Sequence, residues 1–214
     1  MFSVAFAPPD VLAGVLMLRP LSMSAVAVPT SDADEPAVEA LMEAYVQGDA
    51  KAFSQLYRRT APKILGYLVR LARNRERAED LLQVTFAKIH RARGSYLPGA
   101  PLLPWALAIA RRSFFDEQRA AKVRREDLSF DGSLPEQGTF ERETPQDVSE
   151  ALERALDELP ETYREAIQLT KVTGLSASEA ARVLGTTQTA VKLRVHRGYL
   201  QLRKALEQFN RGSS

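Results

Sequence analysis

One stretch of the chain, residues 174–204, limits most strongly what the sequence can fold into. It predicts two helices separated by a tight turn. Ser176 and Glu179 have the spacing of a capping box, and Gly185 stands where a glycine commonly ends a helix. Thr187 can then cap a longer second helix. This arrangement is typical of a helix-turn-helix, whose second helix enters the major groove of DNA.

The second helix of this stretch has two chemically different sides. The side that can pack on the first helix is small and apolar, with Val191, Val195, Gly198 and Leu202. The opposite side carries Thr189, Lys192, Leu193, His196 and Arg197. Residues 186–204 contain five lysines and arginines and no acid. A solvated helix usually mixes both signs of charge, so this bias indicates a polyanionic partner.

Composition predicts an all-α protein and excludes several kinds of chemistry. Of the 214 residues, 45% are hydrophobic, which is enough for a core, and patterns of alternating strand residues are sparse. The chain has no cysteine, so it has no disulfide, thiol nucleophile or cysteine-based metal site. Its two histidines, His90 and His196, fall on different predicted helices. We therefore expect no metal site and no cofactor.

The ends and the middle of the chain divide it into domains. Residues 1–36 are expected to be a disordered leader or the result of a start assigned upstream of Met23. They lack the flanks of a signal peptide or membrane span, so no direct membrane insertion is expected. Residues 123–146 are rich in acids, Gly and Pro and predict a flexible linker. Two small helical domains are predicted at 37–122 and 147–208, with a tail at 209–214.

The first domain is predicted from successive amphipathic stripes. Asp49 can cap the second helix, and Pro62 is expected to open a further one. In the helix over residues 75–92, Asp80 and Gln83 lie one turn apart on the outward side. By periodicity alone, that polar side is more often an ordinary solvated face.

A loop over residues 94–104 precedes a basic helix. The loop is unusually apolar, with Tyr96, Leu97, Leu102 and Leu103, so it either tucks under the bundle or presents a stacking surface. Trp105 is favoured as a core residue. The helix that follows carries Arg111, Arg112 and Arg119, which suits the grip of single-stranded nucleic acid.

Two separated groups of motifs, one within residues 78–116 and the other within residues 159–197, resemble the sigma-70 family of bacterial RNA polymerase sigma factors, in its extracytoplasmic-function (ECF) subgroup. Ala78–Phe86, followed by Trp105, Ile109–Arg111 and Asp116, is similar to region 2 of that family. Region 4 is resembled by the motifs Leu159–Pro160, Tyr163–Ala166, Gly174–Ser176, Glu179–Ala181, Val191–Lys192 and His196–Arg197. Order and spacing agree from Ala37 to Leu206.

The resemblance implies a role for each group of residues. The β′ coiled-coil of core polymerase would bind to a surface formed by Asp80, Gln83, Glu79 and Ala87. The melted −10 strand would be held by Tyr96, Leu97, Leu102, Trp105, Arg111, Arg112 and Arg119. The duplex −35 element would be read by Thr187, Gln188, Thr189, Lys192, Leu193, Arg194, His196 and Arg197. With these roles, an interface on the face of Asp80 becomes the favoured interpretation.

The resemblance also implies the partners and location of the protein. These are core RNA polymerase, including its β flap, promoter DNA, and an anti-sigma factor in free or membrane-bound form, all met in the cytoplasm. The protein would direct promoter recognition and melting and catalyse no reaction. Two alternatives remain: a stand-alone helix-turn-helix regulator, and a metal-dependent nuclease built on Glu76, Glu79, Asp80 and Asp116.

Overall fold

A computed structural model describes residues 36–128 and 148–212. The predicted leader, apart from Pro36, lies outside the described residues, as do most of the predicted linker and the last two residues of the tail. The described residues form helices and no strand, so the all-α prediction is confirmed. The first half contains α1 (Val38–Val46), α2 (Ala50–Ala72), α3 (Arg75–Ala92) and α4 (Leu102–Leu128). The second half contains α5 (Val148–Glu158), α6 (Glu161–Ile167), α7 (Ala177–Leu184) and α8 (Gln188–Gly212).

Helices α1 to α4 pack around the apolar stripes that the sequence shows. The largest buried side chains here include Met42, Ile64, Tyr67 and Phe114. As predicted, Asp49 caps α2, its carboxylate accepting from the backbone N–H groups of Lys51 and Ala52. This cap satisfies two amide donors that have no intrahelical partner at the start of a helix.

Two helix boundaries predicted from prolines are wrong. Pro62 does not open a helix, because α2 continues through it from Ala50 to Ala72. Pro62 is exposed, so the carbonyl that loses its N–H partner can be solvated. The loop predicted to end at Pro104 ends earlier, because α4 begins at Leu102. Pro104 therefore lies in the first turn, where a helix tolerates proline. Helix α4 also extends to Leu128, into the predicted linker.

The second half is a helical unit built around α8, which packs on α5, α6 and α7. Helix α6 is followed by a wider π-helical turn, Gln168–Val172. Gly198 lies where α8 crosses α6, and a Cβ atom added there would stand 2.6 Å from Cδ1 of Ile167. The glycine therefore permits the close approach of these two helices.

The two halves pack against each other, which the sequence did not predict. Helix α4 contacts α7, and one hydrophobic core includes Tyr67 and Phe114 from the first half with Leu169 and Val183 from the second. The described residues belong to a single compact unit.

Candidate nucleic-acid interface

The helix-turn-helix forms as its local signals predict. The Ser176 hydroxyl accepts from the Glu179 N–H at 3.2 Å, and the Glu179 carboxylate accepts from the Ser176 N–H at 2.8 Å. The Ser176 hydroxyl also lies 2.6 Å from the Glu179 carboxylate, and its hydrogen bond, followed by the bond from the Ser176 N–H, lowers the pKa of Glu179. Gly185 ends α7 in the left-handed conformation, with φ of 63°. The Thr187 hydroxyl then accepts from the Ala190 N–H at 3.2 Å and so caps α8.

Helix α8 presents the predicted outward face. Its inner side is held by Val191 and Leu202, both buried. Leu193 is 45% exposed and is the one apolar member of this face. The other exposed members of this face and of the turn before it are Thr187, Gln188, Thr189, Lys192, His196 and Arg197. Arg194 is half-buried at the edge of the face. The structure therefore brings together nearly all of the residues predicted for the −35 element.

A second cationic surface is a groove of about 1140 Å³ between α3, α4 and α7. The described residues that line it include no acid. Its basic side chains are Lys88, Arg91, Arg111, Arg112, Arg119, Lys122 and Arg182. Three of them, Arg111, Arg112 and Arg119, were predicted from the sequence, and Lys122 continues the same basic helix. Lys88, Arg91 and Arg182 were missed because they lie on helices whose relative placement the periodicity does not show.

Two of the groove cations are held by Asp116. Its carboxylate is 3.3 Å from Nζ of Lys88 and 2.5 Å from Nη2 of Arg119. Desolvation acts to raise the pKa of Asp116, but the hydrogen bonds from the two cations outweigh it and leave the pKa lowered. Asp116 thus fixes cations at the groove rather than joining a cluster of acids.

The loop before α4 is mostly tucked into the bundle. Tyr96 is 5% exposed; its hydroxyl donates to the carbonyl of Ala100, and its ring packs edge-on against Trp105 at 5.5 Å. Leu102 is buried and Trp105 is half-buried. Leu97 alone among the four predicted −10 contacts from Tyr96 to Trp105 is well exposed, at 72%. The sequence left open whether this loop tucks under the bundle or presents a stacking surface. Tyr96 and Leu102 tuck under the bundle, whereas Leu97 is exposed.

Two acids that the sequence did not single out fix this loop to α1. The Glu43 carboxylate accepts from the Gly99 N–H at 2.8 Å, and the Glu39 carboxylate accepts from the Leu102 N–H at 3.2 Å. Burial raises the pKa of Tyr96, and the charges of Glu39 and Glu43 add to the effect. No pattern signal marks Glu39 or Glu43, because their partners lie more than fifty residues away along the chain.

The outward face of α3 is exposed at both predicted positions, Asp80 and Gln83. Glu79 is instead engaged by Arg75, with Nε of the arginine 2.9 Å from the carboxylate, and Ala87 is half-buried. Asp80 borders a groove of about 540 Å³ between α3 and α4, which also contains Val84 and Glu117. Val84 is 46% exposed and was missed, because a lone apolar residue on a polar face gives no periodic signal.

Comparison with known proteins agrees with this geometry. Residues 56–124 match the family described as Sigma-70 region 2, and residues 149–202 match Sigma-70, region 4. The RNA polymerase sigma factor CarQ of Myxococcus xanthus is 38% identical over 174 residues, 77% of this chain and 95% of that protein. This chain belongs to the sigma-70 family, in its ECF subgroup. The ECF sigma factor SigE of Mycolicibacterium smegmatis is 33% identical over 81% of this chain and 69% of its own length.

Solved structures share the fold. The sigma factor RpoE of Bartonella quintana, in complex with the anti-sigma factor NepR, superposes with a TM-score of 0.60. It is 28% identical, and the alignment covers 74% of this chain and 98% of that one. CnrH, in complex with the cytosolic domain of CnrY, also gives 0.60 at 24% identity, with 81% and 99% covered, and supports the fold alone.

The family assignment makes this chain a sigma factor that directs RNA polymerase to promoters. Neither alternative gains support. A stand-alone regulator leaves the region 2 match unexplained. For a nuclease, residues 36–128 and 148–212 hold no group of three or more metal-ligating side chains placed to share an ion. In the same ranges, no helix is both long enough and apolar enough to cross a membrane.

Proposed function

We propose that this sigma factor binds its promoter through two separate surfaces and binds core polymerase through a third surface. The exposed, acid-free face of α8, with Lys192, Leu193, His196 and Arg197, is the observation that carries the proposal. It supports binding of the duplex −35 element in the major groove, where cations hold phosphates and side chains contact base edges. Leu193 provides an apolar contact suited to the methyl group of a thymine.

The second point is the melted −10 strand. Arg112 and Arg119 are exposed at the cationic groove between α3, α4 and α7 and can bind its phosphates, together with the half-buried Arg111. Extruding a base costs a few kcal/mol of unstacking, which a stacking surface offsets. In the described conformation, a base can be met by Leu97 of the loop and by Trp105 in the first turn of α4. Tyr96 and Leu102 act by holding the loop.

The third surface is the outward face of α3. Asp80 and Gln83 offer polar contacts to the β′ coiled-coil of core polymerase, with Val84 as an apolar contact beside them. The second domain would meet the β flap. Partners of this kind place the action of the protein in the cytoplasm.

An anti-sigma factor, free or membrane-bound, is the expected regulator. Its support is the solved complex of the similar sigma factor RpoE with the anti-sigma factor NepR. Exposed apolar side chains on α8, among them Tyr199 and Leu200, offer such a partner a binding surface.

Transcription in vitro tests the proposal. Core polymerase, the purified protein and a library of genomic fragments are combined, and the start sites are read by sequencing. We expect new start sites that share two upstream elements. Start sites identical to those of core polymerase alone would contradict the proposal, and duplex binding without polymerase would favour a stand-alone regulator.

A further inference from the structure

A buried carboxylate joins the two halves of the molecule. Glu165, on α6, is 4% exposed. Its Oε1 accepts from the hydroxyl of Tyr67, on α2, at 2.6 Å and from Nε of Arg111, on α4, at 2.8 Å. Its Oε2 lies 3.4 Å from Nη2 of the same arginine. The region 4 half thus supplies the anion that two donors of the region 2 half surround.

The carboxylate end of this contact is buried, while the side chain of Arg111 is 30% exposed. Beside it, the buried side chain of Gln168 donates to the backbone carbonyl of Tyr67 at 2.9 Å. Ala166 and Leu169 are fully buried in the core that both halves share. Burial and the charge of Glu165 raise the pKa of Tyr67 well above its ordinary value, so its hydroxyl stays a donor. Charge-assisted hydrogen bonds in such a site are stronger than exposed ones.

Arg111 also lines the cationic groove, and its bond to Glu165 occupies donors that could otherwise bind a phosphate there. Its guanidinium lies 4.6 Å from the centre of the Phe115 ring, which orients it toward the carboxylate. Arginine binds a carboxylate and a phosphate through the same planar set of donors. A strand phosphate and the Glu165 carboxylate therefore compete for the Nε–Nη2 edge of Arg111, and two anions beside one guanidinium also repel each other.

We propose that Glu165 is an internal substitute for a promoter phosphate: it holds Arg111 and keeps the free protein closed until region 4 moves away. The proposal rests on the proposed function of Arg111 in binding the melted strand. The closed arrangement also makes α7, with Arg182, one wall of the cationic groove, which opening would remove. The closed protein and the open, strand-binding protein are thus two competing states. A partner that separates the halves favours strand binding.

Distance measurements on the full chain test the contact itself. Because the chain has no cysteine, Ser54→Cys and Ser178→Cys place spin labels at exposed positions of the two halves. We expect a narrow, short distance distribution in the labelled protein. Glu165→Gln, which removes the charge and keeps the shape, should broaden it and shift it to longer distances. Glu158→Gln makes the same change at an exposed site of the second half and should leave it unaltered.

A binding measurement then tests the competition. The probe is a fluorescent single-stranded oligodeoxythymidylate. The apparent affinity of a protein that binds only when open is reduced by its open fraction, so an open fraction of about one tenth predicts about tenfold tighter binding for Glu165→Gln. Glu158→Gln carries the same change in net charge and should not show this gain.

The outcomes separate the two proposals. An unchanged distance distribution in Glu165→Gln would overturn the contact whatever the DNA does, and opening without tighter binding would overturn the competition. Adding Arg112→Ala and Arg119→Ala to Glu165→Gln should abolish the gain in DNA affinity. If the gain persists, the proposed strand site is wrong although the contact stands.

Should Glu165→Gln fail to fold by circular dichroism, Tyr67→Phe is the second variant. It removes one donor to the carboxylate and should open the protein in the same direction. No change in either measurement would then overturn the proposal.

Discussion

At the scale of the residue, the pair Asp80 and Gln83 offers a direct test of polymerase docking. Both side chains are exposed, so replacing them with alanine should leave the fold intact. Hydrogen bonds that involve a charged group are worth about 1.5–3 kcal/mol, and we expect the double variant to bind core polymerase about tenfold more weakly. Fluorescence anisotropy of labelled protein measures the affinity. Gln47 and Glu158, also exposed and changed together to alanine, are the control. Equal affinity in the two double variants would refute the docking role.

His90 should make stability depend on pH. Its Nδ1 faces the hydroxyl of Tyr45, and desolvation, then the charges of Arg93 and Arg91, lower its pKa. The folded state therefore binds fewer protons than the unfolded chain near pH 6. This stabilisation is complete above the unfolded pKa of about 6.5 and is lost as the pH falls below it, by less than about 1.4 kcal/mol per pH unit.

Urea unfolding between pH 8 and pH 5.5 measures this dependence. His90→Gln should flatten the part of the curve between about pH 7 and pH 6, because it removes the titrating group. His196→Gln makes the same substitution on the exposed face of α8 and serves as the matched control. A free energy of unfolding that rises as the pH falls through this range would contradict the expected sign.

At the scale of the element, α8 joins DNA recognition to helix packing. Lys192→Ala with Arg197→Ala removes two cations from its exposed face. We expect transcription from a promoter with a −35 element to fall about tenfold, within the range of one good contact to a base. Lys51→Ala with Arg58→Ala removes two exposed cations from α2 and is the control. An equal loss on a template without a −35 element would argue against contact there.

The inner side of α8 depends on a glycine. A Cβ at Gly198 would lie 2.6 Å from the buried Ile167, whereas a Cβ at Gly66, within α2, meets nothing within 4 Å. Gly198→Val should therefore destabilise the protein by about 1–3 kcal/mol through overpacking. Gly66→Ala should stabilise it by about 0.5–1 kcal/mol, because alanine favours the helix. Thermal unfolding decides, and equal effects of the two variants would show that α6 and α8 are not closely packed.

Local signals explain how much of these elements the sequence predicts. The capping box of Ser176 and the glycine turn at Gly185 depend on neighbours within a few residues, and both form as expected. The errors at Pro62 and Pro104 have another origin. Pro62 lies inside α2, and whether water can replace its missing hydrogen bond depends on which side of the bundle it faces. Pro104 lies in the first turn of α4, where the backbone N–H has no intrahelical partner to lose. The burial of Tyr96 likewise depends on Glu43, which no local pattern connects to it.

At the scale of the whole molecule, the contact between the halves is what sequence patterns could not supply. Tyr67 and Glu165 are 98 residues apart, and each lies on a helix with an ordinary amphipathic pattern. The pattern shows which side of a helix is apolar but not which of several apolar surfaces it will meet. For the candidate site, the sequence therefore predicted the outward faces of α3 and α8 and missed both Arg182 in the groove and the occupation of Arg111.

The shared core predicts that the two halves unfold together. Buried residues of α2, α4, α6 and α7 lie in one continuous cluster, so exposing the core of one half exposes that of the other. Trp105, the only tryptophan, reports on the first half by fluorescence, while far-ultraviolet circular dichroism reports on all helices. We expect the two signals to give one urea midpoint in the wild-type protein and separate midpoints in Glu165→Gln. Glu158→Gln should keep a single midpoint, and distinct midpoints in the wild-type chain would show that its halves are thermodynamically independent.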